Sequence, residues 1–138
     1  MKLCRVFVCG ILAGCFLVNC SGSSRIRSSG SNSLQVKEFA FCRSVENRQP
    51  SGTGRNFPSN VGRVYFWTKI YGADRPTEIK HVWYYENERW LEIPLTIKSI
   101  SYRTWSYFTI RPELIGKWHV QVENEHGNVL GKYSFKIK

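Results

Sequence analysis

Aspartate and methionine are almost missing from this chain of 138 residues, where Asp74 and Met1 stand alone. Acidic residues number 10 against 20 basic ones, giving a formal net charge of +10. So few carboxylates exclude a calcium or magnesium site, which needs several oxygen ligands. Catalytic signatures are missing as well. There is no Gly-x-Ser-x-Gly elbow, and Gly52-Thr53-Gly54 lacks the further glycine and helix of a phosphate-cradling loop. His81, His119 and His126 have no cysteine or carboxylate at metal-ligand spacing. Glu86, Glu88 and Glu92 crowd one hairpin, where charges are ordinarily solvated and basic neighbours are at hand. We therefore expect neither an enzyme, a cofactor nor a metal. The chain is still no disordered segment, because 42% hydrophobic and 14% aromatic residues are enough to offset the ordering entropy.

Apolar residues run unbroken only near the start. Lys2 and Arg5 precede the uncharged stretch Val6 to Val18, and Asn19-Cys20 follows. A charged start, a short apolar run and a polar exit mark an export signal, and the run falls short of the ~20 residues that span a bilayer. Leu17-Val18-Asn19-Cys20 resembles the lipobox of bacterial lipoproteins, with Asn19 in place of the usual small residue. The resemblance implies cleavage after residue 19 and acylation of Cys20, with a membrane as partner through that lipid. Ser21 is unlike an inner-membrane retention signal, so the expected location is the bacterial cell envelope, at the outer membrane or periplasmic side. Residues 20–33 are mostly Ser and Gly, a flexible tether whose ends lie ~20 Å apart.

Export resolves the cysteine arithmetic. Cys4, Cys9 and Cys15 leave with the signal, Cys20 carries lipid, and Cys42 remains alone, with no partner for a disulfide. Between apolar neighbours, Cys42 reads as a small core residue. Loss of Lys2 and Arg5 leaves 18 basic against 10 acidic residues, a net +8. A basic domain suggests nucleic acid first. For an exported domain, anionic envelope polymers and lipid head groups are the better electrostatic partners, and no nucleic acid is expected.

From residue 34 to residue 138 the alternation is that of strands. Val64, Phe66, Thr68 and Ile70 alternate with Arg63, Tyr65, Trp67 and Lys69. The same period of two runs through Ile79–Tyr85, Leu91–Ile97, Tyr102–Phe108, Trp118–Val122 and Tyr133–Ile137. Nothing of helical period approaches ~10 residues, and Arg111 to Ile115 suits a single turn. With Leu34 to Phe41 as the first, about seven antiparallel strands are expected, joined by Glu86-Asn87-Glu88 and by Asn124-Glu125-His126-Gly127-Asn128 among others. Residues 48–60, rich in Pro and Gly, read as irregular. This pattern predicts an all-β, immunoglobulin-like β-sandwich, with a small barrel as the alternative.

Particular residues carry a resemblance. They are Val36-x-x-Phe39, Arg43-x-Val45-x-x-Arg48-x-Pro50, Val64-Tyr65-Phe66, His81-x-Trp83, Arg103-Thr104-x-Ser106, Gly116-x-Trp118-x-Val120-x-Val122 and Gly127-x-Val129-Leu130-x-x-x-x-Phe135. Together they resemble DUF2914, a bacterial envelope domain family of unknown function, over essentially all of residues 34–138. The resemblance implies an extracytoplasmic β-domain and no particular activity.

Two residues apart on a strand, His81 shares a sheet face with Trp83, Arg103 with Trp105, and Thr104 with Ser106. Were the third and fifth strands close, His81 would meet Arg103 or Ser106. His81, Trp83, Arg103, Trp105 and Ser106 are thus the candidate binding residues, a polar site with aromatic walls. The competing account is structural: His81 bonded to a hydroxyl at the edge of the core, Trp83 as the central indole, and Arg103 stacked on an aromatic ring. Tyr65, Trp67, Trp105 and Tyr107 fall on the phase opposite to the aliphatic set and suggest an outward aromatic patch. The expected role is non-catalytic binding or scaffolding with an envelope protein or a cell-wall glycan as ligand. A carbohydrate- or peptidoglycan-binding module and an envelope hydrolase using His81 are the alternatives.

Overall fold

A computed structural model describes residues 33–138. The expected signal peptide at 1–19, Cys20 and the tether up to residue 32 lie outside the described residues.

Alternating apolar side chains need a surface to bury against, and here two sheets supply it to each other. The first sheet has three strands, β1 (Gln35–Cys42), β5 (Arg63–Tyr71) and β8 (Ser101–Thr109), in the order β1-β5-β8. The second has five. They are β4 (Asn56–Phe57), β6 (Thr77–Tyr85), β7 (Glu88–Ile97), β9 (Gly116–Asn124) and β10 (Val129–Ile137), in the order β4-β10-β9-β6-β7. A small hairpin of β2 (Ser44–Glu46) and β3 (Gln49–Ser51) completes the set. All pairings are antiparallel except that of β4 with β10.

Seven of these are the strands expected from periodicity. In chain order, the first, second and fifth form one sheet, and the seventh, sixth, third and fourth run across the other. Consecutive strands therefore cross between sheets in Greek-key fashion, which makes the molecule an immunoglobulin-like all-β sandwich rather than a barrel. The stretch 48–60 departs from expectation. It holds β3 and the two-residue β4, whose Asn56 and Phe57 add to the edge of β10 beside Lys136 and Ile137. Strands this short leave no periodicity to read. Arg111 to Ile115 makes a single turn, closed by the Leu114 N–H on the Arg111 carbonyl at 2.9 Å.

The core joins Phe41, Val64, Phe66 and Ile70 of the first sheet to Ile79, Trp83, Trp118, Val120, Val122, Phe135 and Ile137 of the second. Two hairpins turn on non-glycine residues at positive φ: Asn47 and Arg48 between β2 and β3, and Glu86 and Asn87 between β6 and β7. Positive φ at both central residues is the requirement of the tight turn whose twist matches paired strands. Gly127, at φ 80, serves the β9–β10 turn, where the Asn124 side-chain oxygen accepts the His126 and Asn128 N–H groups at 2.9 Å each.

Candidate binding face and buried polar chain

The five sequence-predicted site residues separate into an inner group between the two sheets and an outer pair on β8. β6 and β8 belong to different sheets and face each other across the interior. His81, Trp83 and Ser106 meet there, all buried. Arg103 and Trp105 point the other way, on the outer side of β8, so His81 and Arg103 do not converge.

The inner group is a chain of hydrogen bonds whose direction follows from what each atom can donate. Trp83 Nε1–H donates to Ser106 Oγ at 3.0 Å, since an indole nitrogen only donates. Thr68 Oγ1–H donates to the Thr104 carbonyl at 3.2 Å, which uses its one proton. Thr68 Oγ1 must then accept from His81 Nε2–H, 3.2 Å away. His81 Nδ1 is left as an acceptor and takes the Ser106 Oγ–H at 2.8 Å. The order is Trp83 to Ser106 to His81 to Thr68 to the Thr104 carbonyl, and every proton points the same way. Aligned bonds of this kind polarise one another in a low-dielectric interior. The chain ties β6 of one sheet to β5 and β8 of the other. Among the described residues no buried side-chain nitrogen or oxygen lacks a partner.

His81 is therefore the neutral Nε2–H tautomer. Burial alone lowers its pKa from 6.5 to about 3, because no carboxylate stands by to support an imidazolium. Its ring also lies 4.8 Å from that of Phe66, centroid to centroid. A histidine held neutral, sealed and bonded at both nitrogens is a structural strut.

The outer side of β5 and β8 carries the aromatic residues. The ladder sets Tyr65 opposite Tyr107, Trp67 opposite Trp105 and Lys69 opposite Arg103. The Tyr65 and Tyr107 rings are 5.3 Å apart between centroids, and Tyr107 is 45% exposed. Trp105 is half-buried. Trp67, although on the outer side, is only 3% exposed because the β2–β3 hairpin folds over it, and its Nε1–H donates to the Arg48 carbonyl at 3.0 Å. Cys42 is buried, and burial raises its thiol pKa, which leaves the sulfur inert.

Cations rim this row. Arg48 donates to the Arg103 carbonyl at 3.1 Å and lies over the Tyr102 ring at 5.2 Å. Arg63 lies over Tyr107 at 4.8 Å. The stacked guanidiniums are thus Arg48 and Arg63, not Arg103 as the structural account expected. Arg48 and Arg103 line two shallow depressions of about 330 Å³ each. One runs along Pro94, Thr96 and Trp105, and the other along Lys69 and Ser101. Sequence reasoning passed over Arg48 and Thr68. Thr68 was legible only as one more alternating residue, and Arg48 lies in the stretch read as irregular. The hairpin acids are engaged: Glu92 pairs with Lys80 at 2.8 Å and with Arg89, and Glu86 accepts the Lys117 N–H at 2.7 Å.

Two packed sheets, a buried and fully hydrogen-bonded histidine and an aromatic outer face define a β-sandwich domain. Residues 76–137 match the model of a family described as "Protein of unknown function (DUF2914)". That stretch runs from the start of β6 to the end of β10 and is similar to this family. The motifs of the resemblance drawn from β1 and β5 lie outside the matched stretch. No curated protein matches the chain. Among solved structures, a β-glucosidase from Kluyveromyces marxianus is similar at 10% identity, over 76% of this chain and 14% of that one, with a TM-score of 0.43. That likeness carries no argument about activity.

Proposed function

We propose that this protein is a non-catalytic binding module of the bacterial cell envelope, anchored through lipid on Cys20, whose ligand is a carboxylate-bearing cell-wall glycan. The observation that carries the reading is the outer side of β5 and β8. Tyr65, Trp105 and Tyr107 offer ring faces to sugar rings, and Arg48 and Arg103 stand beside them to meet carboxylates. Arginine suits that task because its planar fork binds a carboxylate in bidentate fashion. A net charge of +8 once Lys2 and Arg5 are lost favours an acidic polymer over a neutral one. The burial of His81 between two partners speaks against the hydrolase alternative, since no substrate reaches its nitrogens.

The test is sedimentation of the purified protein with isolated cell-wall sacculi at low and high salt, beside Trp105→Ala and Arg103→Ala variants of verified fold. Salt-resistant binding that both substitutions abolish supports the reading. Binding that salt erases equally from all three proteins reduces it to net charge. Absence of binding turns attention to an envelope protein, which cross-linking in the native envelope would capture.

A further inference from the structure

A second surface lies on the five-stranded sheet, facing away from the core, and has a different chemistry. On that side β9 carries the exposed Lys117 and the largely buried His119, and β10 presents Lys132, Ser134 and Lys136. The ladder sets Lys136 directly opposite Lys117 and Ser134 directly opposite His119. Arg55, just before β4, reaches over the same edge and donates to the Ser134 carbonyl at 3.2 Å, while its own carbonyl accepts the Lys136 N–H at 2.8 Å. These groups and Asn87 line a groove of about 450 Å³ with no carboxylate in its wall. Like charges directly opposite each other destabilise a sheet. Some surface cations elsewhere are relieved by acids, as Lys69 is by Glu38 and Lys80 by Glu92. Among the described residues Arg55, Lys117, Lys132 and Lys136 make no such pair. Glu86 engages the Lys117 backbone N–H rather than its ammonium.

We infer that this groove binds the phosphate group of a phosphate-bearing ligand, held by Lys117, Lys132, Lys136 and Arg55. An anion placed there converts the repulsion between Lys117 and Lys136 into shared attraction. Lysines act as point-charge binders, and the guanidinium of Arg55 is pre-positioned by its carbonyl bond and by its place over the Phe39 ring at 4.9 Å. His119 forms part of the groove wall, stacked on Tyr84 at 4.5 Å and 8°. Burial first, and Lys132 second, lower its pKa below the usual histidine value, so it meets the ligand as a neutral hydrogen-bonding ring. The aromatic face is on the other sheet, so this site is independent of the glycan reading.

Position narrows the source of the phosphate. The chain enters the sandwich at Leu34 and Gln35, beside the Asn124–Asn128 turn. Lys117 and Lys136 sit toward the other end of the same ladder, where Gly116 pairs with Ile137. Nine residues of strand separate those ends by roughly 30 Å, at ~3.4 Å per residue. On the proposed anchoring through Cys20, on which this narrowing rests, the groove lies away from the anchored end, which favours phosphate on a polymer or solute over the anchoring bilayer.

The experiment titrates the purified protein with inorganic phosphate, against chloride at matched ionic strength, and follows the His119 ring and Lys117 amide signals by NMR. Vesicles of phosphatidylglycerol form a second arm. Lys117→Gln with Lys136→Gln should weaken phosphate binding at least tenfold while leaving the fold as stable as before, since a repulsive pair is removed. Lys37→Gln with Lys98→Gln makes the same charge change far from the groove and should alter binding less than twofold. Saturable phosphate shifts at the groove without vesicle capture assign the ligand to a polymer or solute. Capture by vesicles that requires Lys117 and Lys136 assigns it to lipid head groups. Equal weakening in both double variants, or shifts that chloride reproduces, would overturn the inference.

Discussion

The two sides of the sheet formed by β1, β5 and β8 reverse the usual distribution of polarity. Inward, beside Val64, Phe66 and Ile70, sit Thr68, Thr104 and Ser106, with His81 arriving from the opposite sheet. Outward sit Tyr65, Trp67, Trp105 and Tyr107. Polar groups are tolerated inside only when bonded, and Thr68, Ser106 and His81 are. Aromatic rings on a surface leave favourable burial unused, which is how contact surfaces are recognised. The same two strands thus carry a closed set of interactions on one side and an open set on the other. The closed side governs stability, and on the proposed reading the open side carries the ligand.

Four experiments separate the two sides, in order of decreasing size. The first is acid. With a pKa near 6.5 when unfolded and about 3 when folded, His81 takes up a proton only on unfolding between those values. Stability is complete above pH 6.5 and falls as pH falls, by about 1.4 kcal/mol per unit and about 5 kcal/mol across the window. His119, also lowered, pulls in the same direction. Urea unfolding from pH 7 to pH 4 measures the slope, and a His81→Gln protein should show a much flatter one. A wild-type slope near zero would mean that His81 is not sealed.

Second, Ser106→Ala removes the link between Trp83 and His81 and leaves two buried nitrogens unpartnered, at a cost of about 2–4 kcal/mol. A change in Trp83 fluorescence should accompany it. Thr68→Val, close in volume, breaks the last two steps, leaves the His81 Nε2–H unpartnered and should cost about 1–3 kcal/mol. A double variant that loses less than the sum of the two would demonstrate that the bonds act as one chain. Third, Trp105→Ala on the open side should cost only about 1 kcal/mol of stability while removing ligand binding. A loss as large as that of Ser106→Ala would place Trp105 with the structural set. Fourth, Glu38→Gln breaks the exposed pair with Lys69 at 2.9 Å and should shift stability by less than about 0.5 kcal/mol. Thermal melts resolve all of these differences.

Much of the fold was legible because alternation is local. Residues two apart on a strand share a face wherever the strand ends up, so Thr104 with Ser106, and Tyr65 with Trp67, could be assigned to opposite phases without coordinates. The hairpin of Asn47 and Arg48 was not legible, since three-residue strands show no period and the turn uses non-glycine residues at positive φ. That hairpin decides the burial of Trp67 and places Arg48 at the rim. Nor was the groove visible, although Lys132-x-Ser134-x-Lys136 and Lys117-x-His119 each share a face. Its charge density arises only when β9 and β10 pair in register with Lys136 opposite Lys117.

Local chemistry along the chain specified an all-β domain, its seven long strands, a sandwich in preference to a small barrel, and a basic surface short of acids. These follow from steric preference and the two-residue repeat, which act between neighbours in the chain. The pairing of the two sheets settled that His81 closes a proton-ordered chain with Ser106 and Thr68 while Arg103 faces outward. Those partners lie 25 and 13 residues from His81, and nothing local to a strand specifies which strand of the opposite sheet will cover it.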